Sequence, residues 1–428
     1  MLSSCYLNHA NFKELMMKEK FVAIIGGGLS GLCCARKLHA EGCSWKIFEA
    51  DSAVGGRVKT DELDGFLLDR GFQVLLDNYV ECREQLNYAD MDLRAFEPGA
   101  LVRYQGRFHE FSDPLRKPSS IFRTLFAPMG SWRDKIKLSR LRRLTDPRQE
   151  SSRTQFAGLT TREFLIKYGF SKRLIESFFQ PFFGGVFLES DLRTSAGKFR
   201  FLFHQFGTGN ATIPNLGMGE IPRQLVKPLP PENICLGVKV ESVSRQGVHL
   251  ANGDDVDADA VVVATDQTTA VRLLGEPEVD QPHGVWCVYF AAPRDERRPI
   301  LVLNGEGTGP INSLCWLSAA ADGYAPEGQD LASVTVLQDA GDSGEMVESC
   351  LTQLKDWYGD EVTQWRHLRT YHVPNALPKQ GGAFETGSHN IQHSSGIFRC
   401  GDYMEYASLN GAMVSGRECA EEVLRQLG

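Results

Sequence analysis

The sequence predicts an α/β fold built around a parallel sheet, and three observations carry that expectation. The apolar run Phe21-Val-Ala-Ile-Ile25 ends in Gly26-x-Gly28-x-x-Gly31 and passes into residues 29–41, which have few helix breakers and apolar residues at Leu32, Ala35 and Leu38. A second short strand, Ile47-Phe48, closes on Glu49. Towards the other end, Ile397-Phe-Arg-Cys-Gly401-Asp402 reads as a strand stopping at a turn, and Ser408-Leu-Asn-Gly411-Ala412-Met-Val-Ser-Gly416 begins a helix. At 428 residues the chain is too long for one compact core of ordinary size, so two domains are expected.

Each part of the first motif has a physical reason. The glycines let the backbone turn sharply after the strand and let a diphosphate approach with no β-carbon in the way. A helix starting at Leu29, Ser30 and Gly31 points its unpaired N–H groups at that diphosphate. Glu49 follows at about the spacing, ~20 residues on, at which a carboxylate can accept hydrogen bonds from a ribose. Strand, glycine turn, helix, strand and acid in this order describe a Rossmann-like dinucleotide-binding unit, for which the glycine pattern alone is weak evidence.

After Glu49-Ala50 comes Gly55-Gly56-Arg57. With this turn the sequence resembles the flavin amine oxidase, protoporphyrinogen oxidase and phytoene desaturase superfamily, whose members follow the ribose-binding Glu with a Gly-Gly-Arg turn. The resemblance implies an FAD-binding domain of the GR2 type, interrupted by a discontinuous α+β substrate domain, with the Gly-Gly-Arg turn against the FAD diphosphate and isoalloxazine edge. It extends to Gly71, to the glycine turn Gly217-Met218, to Val238, to the strand end Ala264-Thr265 in Ala-Asp-Ala-Val-Val-Val-Ala-Thr265, and to the closing Gly-Asp motif. There Asp402 would sit by the ribityl–diphosphate arm, and a helix N-terminus at Asn410, Gly411 and Ala412 would face the flavin edge that becomes negative on reduction. No Cys stands beside Gly401-Asp402 in the Ser-Gly-Gly-Cys-Tyr manner of flavinylated relatives, and Cys400 precedes the turn, so the FAD is expected to be non-covalent.

Composition excludes several classes. Hydrophobic content of 42% and charged content of 23% are those of a soluble globular protein. No apolar run approaches the ~18 residues that span a bilayer. A net charge of −8 argues against a general nucleic-acid binder, which needs clustered positive charge. The eleven cysteines include no CxxC and no zinc-type Cys/His spacing, which suits thiols in a reducing cytoplasm and no structural metal. Residues 1–19 lack a long apolar core and read as a loose tail rather than a secretory signal.

The FAD-binding domain is therefore expected over residues 20–78, 207–270 and 385–428, and the substrate domain over 79–206 and 271–384. Within the latter, Ala100–Tyr104 and Arg107–Phe111 read as a strand pair about Gly106, and Val285–Phe290, Val334–Leu337 and Arg369–Val373 as further strands, with a helix near 345–358. Residues 112–206 are mainly helical. Residues 101–150 hold 12 Lys/Arg against 5 Asp/Glu. Trp132–Leu144 reads as a solvated helix face, with peripheral membrane contact through 116–144 as the second reading. The aromatic run Phe178, Phe179, Phe182 and Phe183 is too dense for one helical stripe, so these rings either pack a core or line a substrate cavity.

The resemblance also frames the chemistry. Flavin takes hydride or electrons from a substrate carbon, so no Ser, His or Asp nucleophile is nominated. Amine oxidases of the superfamily carry a Lys on a substrate-domain strand and an aromatic pair about the amine. The corresponding strand Gly284-Val-Trp-Cys-Val-Tyr-Phe290 has no Lys, although Tyr371, Tyr403 and Tyr406 could frame a substrate. A paired-arginine clamp of the kind used by UDP-galactopyranose mutase is not found. The expectation is an oxidoreductase acting on a largely apolar small molecule in the manner of a desaturase or porphyrinogen oxidase. An amine oxidase and a non-catalytic flavoprotein scaffold are the alternatives.

Overall fold

The structure, a computed structural model, describes residues 20–112, 116, 121–145, 157–337, 342–384, 386 and 390–428. The expected tail 1–19 lies outside the described residues. The chain divides into two compact units, Met1–Gly56 with Pro222–Val279 and Gly387–Gly428, and Arg57–Ile221 with Asp280–Thr386.

The first unit is centred on a five-stranded sheet in the order Ile234–Leu236, Ser44–Glu49, Phe21–Ile25, Ala260–Val263, Phe398–Arg399, with every neighbouring pair parallel. A parallel sheet must be covered on both faces, and the central strand Phe21–Ile25 is accordingly buried at all five residues. On one face its Phe21, Ala23 and Ile25 share a core with Val261, Val263 and helix residues Ala270, Leu273 and Leu274 of Gln267–Leu274. The helices Leu29–Ala40 and Leu409–Leu427 pack along each other through small residues: a β-carbon on Gly416 would fall 2.2 Å from the Ser30 carbonyl oxygen. The expected meander before the fourth strand is present as Val240–Ser244, Gly247–Leu250 and Asp255–Asp257.

The second unit holds a seven-stranded mixed sheet in the order Arg366–Leu377, His283–Pro293, Gln329–Val336, Ile311–Trp316, Leu301–Asn304, Ala100–Tyr104, Arg107–Phe111. Helix Ser343–Tyr358 covers one face. Its Met346, Cys350, Leu354 and Trp357 recur at helical spacing and pack with Trp286, Val288, Phe290, Val334 and Val336 of the sheet. Residues 57–78 and 207–221 group with this unit rather than with the first. Their strands find their partners there: Thr60–Leu63 pairs with Phe66–Asp69, and Leu75–Leu76 with Ala211–Pro214.

A buried carboxylate organises that region. Asp69 has almost no exposure, and its Oδ atoms accept from Thr60 Oγ1 at 2.5 Å, Tyr324 OH at 2.6 Å and the Met218 amide at 3.0 Å. Its carbonyl accepts from Tyr289 OH at 2.8 Å, and Thr60 Oγ1 also accepts from the Gly219 amide at 2.8 Å. Burial pushes the Asp69 carboxyl up to about 6, against the opposing pull of the hydrogen bonds from Thr60, Tyr324 and Met218. Because the folded pKa lies above the unfolded value of ~4, the stability that protonation contributes is fully present below about pH 4 and lost as pH rises through about 6, roughly 3 kcal/mol in all. In Asp69→Asn that loss disappears. Melting curves of both proteins between pH 4 and pH 7 should show the variant gaining on the wild type as pH rises.

Candidate functional site

In the first unit the glycine turn takes its shape from close approaches. Gly26 adopts φ +103°, donates its amide to the Phe48 carbonyl at 2.9 Å, and has no room for a β-carbon, which would meet the Ala264 oxygen at 2.7 Å. A β-carbon on Gly31 would lie 2.0 Å from the Gly26 oxygen, so the helix can enter against the strand only with glycine there. Gly28 differs from both. It has an ordinary extended conformation, and a β-carbon on it would meet nothing within 4 Å. Seven other helices, those that start after Ser131, Thr160, Ser171, Ser195, Asp266, Asp342 and Ser408, carry a side-chain cap, whereas the helix starting at Leu29 has none. Its first amides look onto open ground in front of Gly28, which is what an anionic diphosphate requires.

Glu49 ends the second strand beside this turn. Its Oε2 accepts from the Gly27 amide at 2.6 Å and its Oε1 from the Asp51 amide at 2.8 Å. A carboxylate has about four acceptor positions, so two remain for ribose hydroxyls. The Gly55 amide donates to the Gly27 carbonyl at 2.8 Å, and a β-carbon on Gly56 would come within 3.3 Å of Gly28 Cα, so the second glycine turn stacks on the first. Ala50 follows Glu49 directly, and Val238 donates its amide to the Glu49 carbonyl at 2.8 Å. Ala264 continues the fourth strand by donating to Ile25 O at 2.8 Å, with Thr265 next to it. These expected cofactor residues are thus brought together along one edge of the parallel sheet.

At the closing motif, Cys400 donates to Val263 O at 3.0 Å, the Gly401 amide donates to Ser415 Oγ at 3.1 Å, and Asp402 is buried. The helix begins at Leu409, earlier than the expected start near Gly411. Ser408 is its cap: its Oγ accepts from the Gly411 amide at 3.0 Å and its carbonyl from the Ala412 amide at 3.0 Å. The amides of Gly411 and Ala412 are therefore committed within the helix and do not point outward as expected. Asn410 stands in the first turn. The signal for this was the Ser408 position itself, a favoured N-cap three residues before Gly411.

Gly71, Gly217, Met218 and Arg57 lie in the second unit. Gly217 needs φ +91°, and a β-carbon there would strike Thr60 at 2.5 Å. Arg57 Nη1 donates to the Ala376 carbonyl at 2.7 Å. Of the expected pocket phenylalanines, Phe179 and Phe183 have essentially no exposure and belong to the core, with ring centroids 5.0 Å from Phe170 and 4.6 Å from Phe199 respectively. Only Phe178 and Phe182 keep some surface, because they lie on the other side of the same helical run. Tyr371 is half-buried and donates to Asp61 Oδ2 at 2.8 Å, and burial with that bond pushes it up to about 12. Tyr403 cannot frame a substrate, since it is buried in the first unit's core under Gly401. Tyr406 is partly exposed in the first unit.

A family model for flavin-containing amine oxidoreductases matches residues 29–424. The chain belongs to that family. It is an FAD-dependent oxidoreductase with the family's fold. A coproporphyrinogen III oxidase from Propionibacterium freudenreichii subsp. freudenreichii is 25% identical over 84% of this chain and 82% of its own length. Protoporphyrinogen oxidase 2 of Arabidopsis thaliana is 25% identical over 172 residues, 39% of this chain, and the match spans only 32% of that relative. Among solved structures, a putrescine oxidase bound to putrescine superposes with a TM-score of 0.72 at 16% identity, covering 95% of this chain and 99% of that one. The uncapped helix, the open ground at Gly28 and the remaining acceptors on Glu49 fit the adenosine diphosphate part of FAD.

The three glycines of the turn should separate on substitution. Gly31→Ala places an atom inside a carbonyl and should prevent recovery of folded protein. Gly28→Ala should melt as wild type does in the apo form while its dissociation constant for FAD rises by about tenfold or more, measured by flavin fluorescence quenching.

Proposed function

We propose that this protein holds FAD non-covalently and oxidises a largely apolar substrate at carbon, in the manner of a desaturase or porphyrinogen oxidase. The observation that carries the proposal is the apolar character of the partly open side of the aromatic run. Phe178 and Phe182, with ring centroids 5.7 Å apart, keep surface on one side of their helical run. Such a face offers a cationic amine ring contact of only ~0.5–2 kcal/mol against the cost of its desolvation. An apolar skeleton instead gains ~25 cal/mol for each Å² it buries.

The strand His283–Pro293 supports the same reading. Residues Val285–Phe290 are all buried and none is ionised at neutral pH, and the two lysines after residue 270, Lys355 and Lys379, are both exposed. The coproporphyrinogen relative, which spans most of both chains, adds to it. The bound flavin supplies the acceptor for hydride or an electron pair. The protein's own residues orient it: the amides at Leu29–Gly31 with the diphosphate, Glu49 with the ribose, and Asp402 with the arm between them. The full burial of Cys400, just after the strand Phe398–Arg399, supports non-covalent attachment. None of the ten described cysteines forms a disulfide, which suits a reducing compartment such as the cytoplasm.

The amine reading retains one observation in its favour, the half-buried hydroxyl of Tyr371 held by Asp61. Anaerobic stopped-flow reduction decides between them. Porphyrinogens or apolar polyenes should bleach the flavin, and putrescine, spermidine and phenylethylamine should not. Fast bleaching by the amines alone would reverse the assignment. Acid precipitation should release the flavin into the supernatant.

A further inference from the structure

In the helical part of the second unit, large apolar side chains face water beside a dense set of cations. Among the described residues nine large hydrophobic side chains are exposed, and four of them fall between positions 125 and 136: Leu125 at 50%, Phe126 at 83%, Trp132 at 65% and Ile136 at 42%. They lie at the end of helix Ile121–Phe126 and the start of helix Trp132–Leu144. The corner between the helices is fixed. Lys135 donates to the Leu125 and Ala127 carbonyls, and Ser131 and Asp134 form a reciprocal cap. Asp134, the only acid on the second helix, is buried and spends both oxygens on Ser131 and Ser171.

That helix carries six Lys/Arg in a chain of net charge −8. Trp132, Ile136, Arg140 and Arg143 are all exposed and step by about a turn along one stripe, so the apolar end grades into a cationic one. The exposed side of this helix therefore has no continuous apolar stripe. It is not built to lie flat on an apolar face but presents an apolar corner with a basic flank. A water-exposed Phe and Trp at a rigid corner are costly for a free surface, and an indole beside guanidinium groups suits the headgroup boundary of a bilayer.

We propose that this corner docks the protein onto an anionic lipid surface, with Leu125, Phe126, Trp132 and Ile136 entering the headgroup region and Arg133, Arg140 and Arg143 meeting lipid phosphates. The charge complementarity selects a negative surface over a neutral one. The docking is independent of which substrate the enzyme oxidises, so vesicle binding and flavin reduction can fail separately.

The test is co-sedimentation of the full-length flavoprotein with vesicles of phosphatidylcholine alone and of phosphatidylcholine mixed with phosphatidylglycerol. The protein should partition onto the mixed vesicles and be released by high salt. Phe126→Ser with Trp132→Ser should weaken that partition by about tenfold or more. Arg140→Glu with Arg143→Glu should remove the preference for the anionic lipid. Both pairs are surface changes, and unchanged circular dichroism and flavin absorbance check their folding; if the first pair misfolds, the second carries the test. Equal sedimentation with both lipids, or variants that sediment as wild type does, would overturn the proposal. So would self-association abolished by Phe126→Ser with Trp132→Ser in the absence of vesicle binding, which would give the corner to a second copy of the chain.

Discussion

Three missing β-carbons hold the first unit to one geometry. At Gly26, Gly31 and Gly416 a side-chain carbon would fall 2.7, 2.0 and 2.2 Å from the carbonyl oxygens of Ala264, Gly26 and Ser30. Helix Leu29–Ala40 is thereby wedged between the sheet and the last helix more closely than any larger residue allows. Much of the motif Gly26-x-Gly28-x-x-Gly31 is thus about packing. Only its middle glycine opens onto unfilled space, and the aim of the helix N-terminus follows from the outer two.

In the second unit Asp69 plays the corresponding part by hydrogen bonding rather than by close approach. One carboxylate joins a hairpin at Thr60, a glycine turn at Met218 and the loop at Tyr324, and its backbone oxygen takes in Tyr289 of the large sheet. Elements far apart in sequence share one acceptor. A buried group with that many partners is costly to satisfy halfway, which makes the arrangement all or nothing.

Where a local pattern had a local cause, the sequence was readable. Strands Phe21–Ile25, Ala100–Tyr104 and Arg107–Phe111 and helix Trp132–Leu144 stand where alternation, apolar runs and turn residues put them. What could not be read depended on partners distant in the chain. Leu301–Asn304 and Ile311–Trp316 are short, and only their neighbours in the sheet make them strands. Residues 57–78 carry a cofactor-type motif at their start, yet their ladder partners place them in the other unit. The Phe178–Phe183 run looked too dense for one stripe because a wide turn over Ile175–Phe179 leads into the helix Gln180–Phe187, and the rings divide between a sealed core and a partly open side.

The topology of the five-stranded sheet also bears on how the protein is made. Its central strand, Phe21–Ile25, lies between Ser44–Glu49, which is synthesised soon afterwards, and Ala260–Val263, which emerges only when most of the other unit has been translated. The last strand and the helix Leu409–Leu427 come later still. Until then the Leu29–Ala40 helix has its small-residue face uncovered, so a ribosome-bound chain carries an open sheet edge and an apolar groove through most of its elongation. The first unit is begun before the second and closed after it, which leaves it incomplete for longest in the newborn chain.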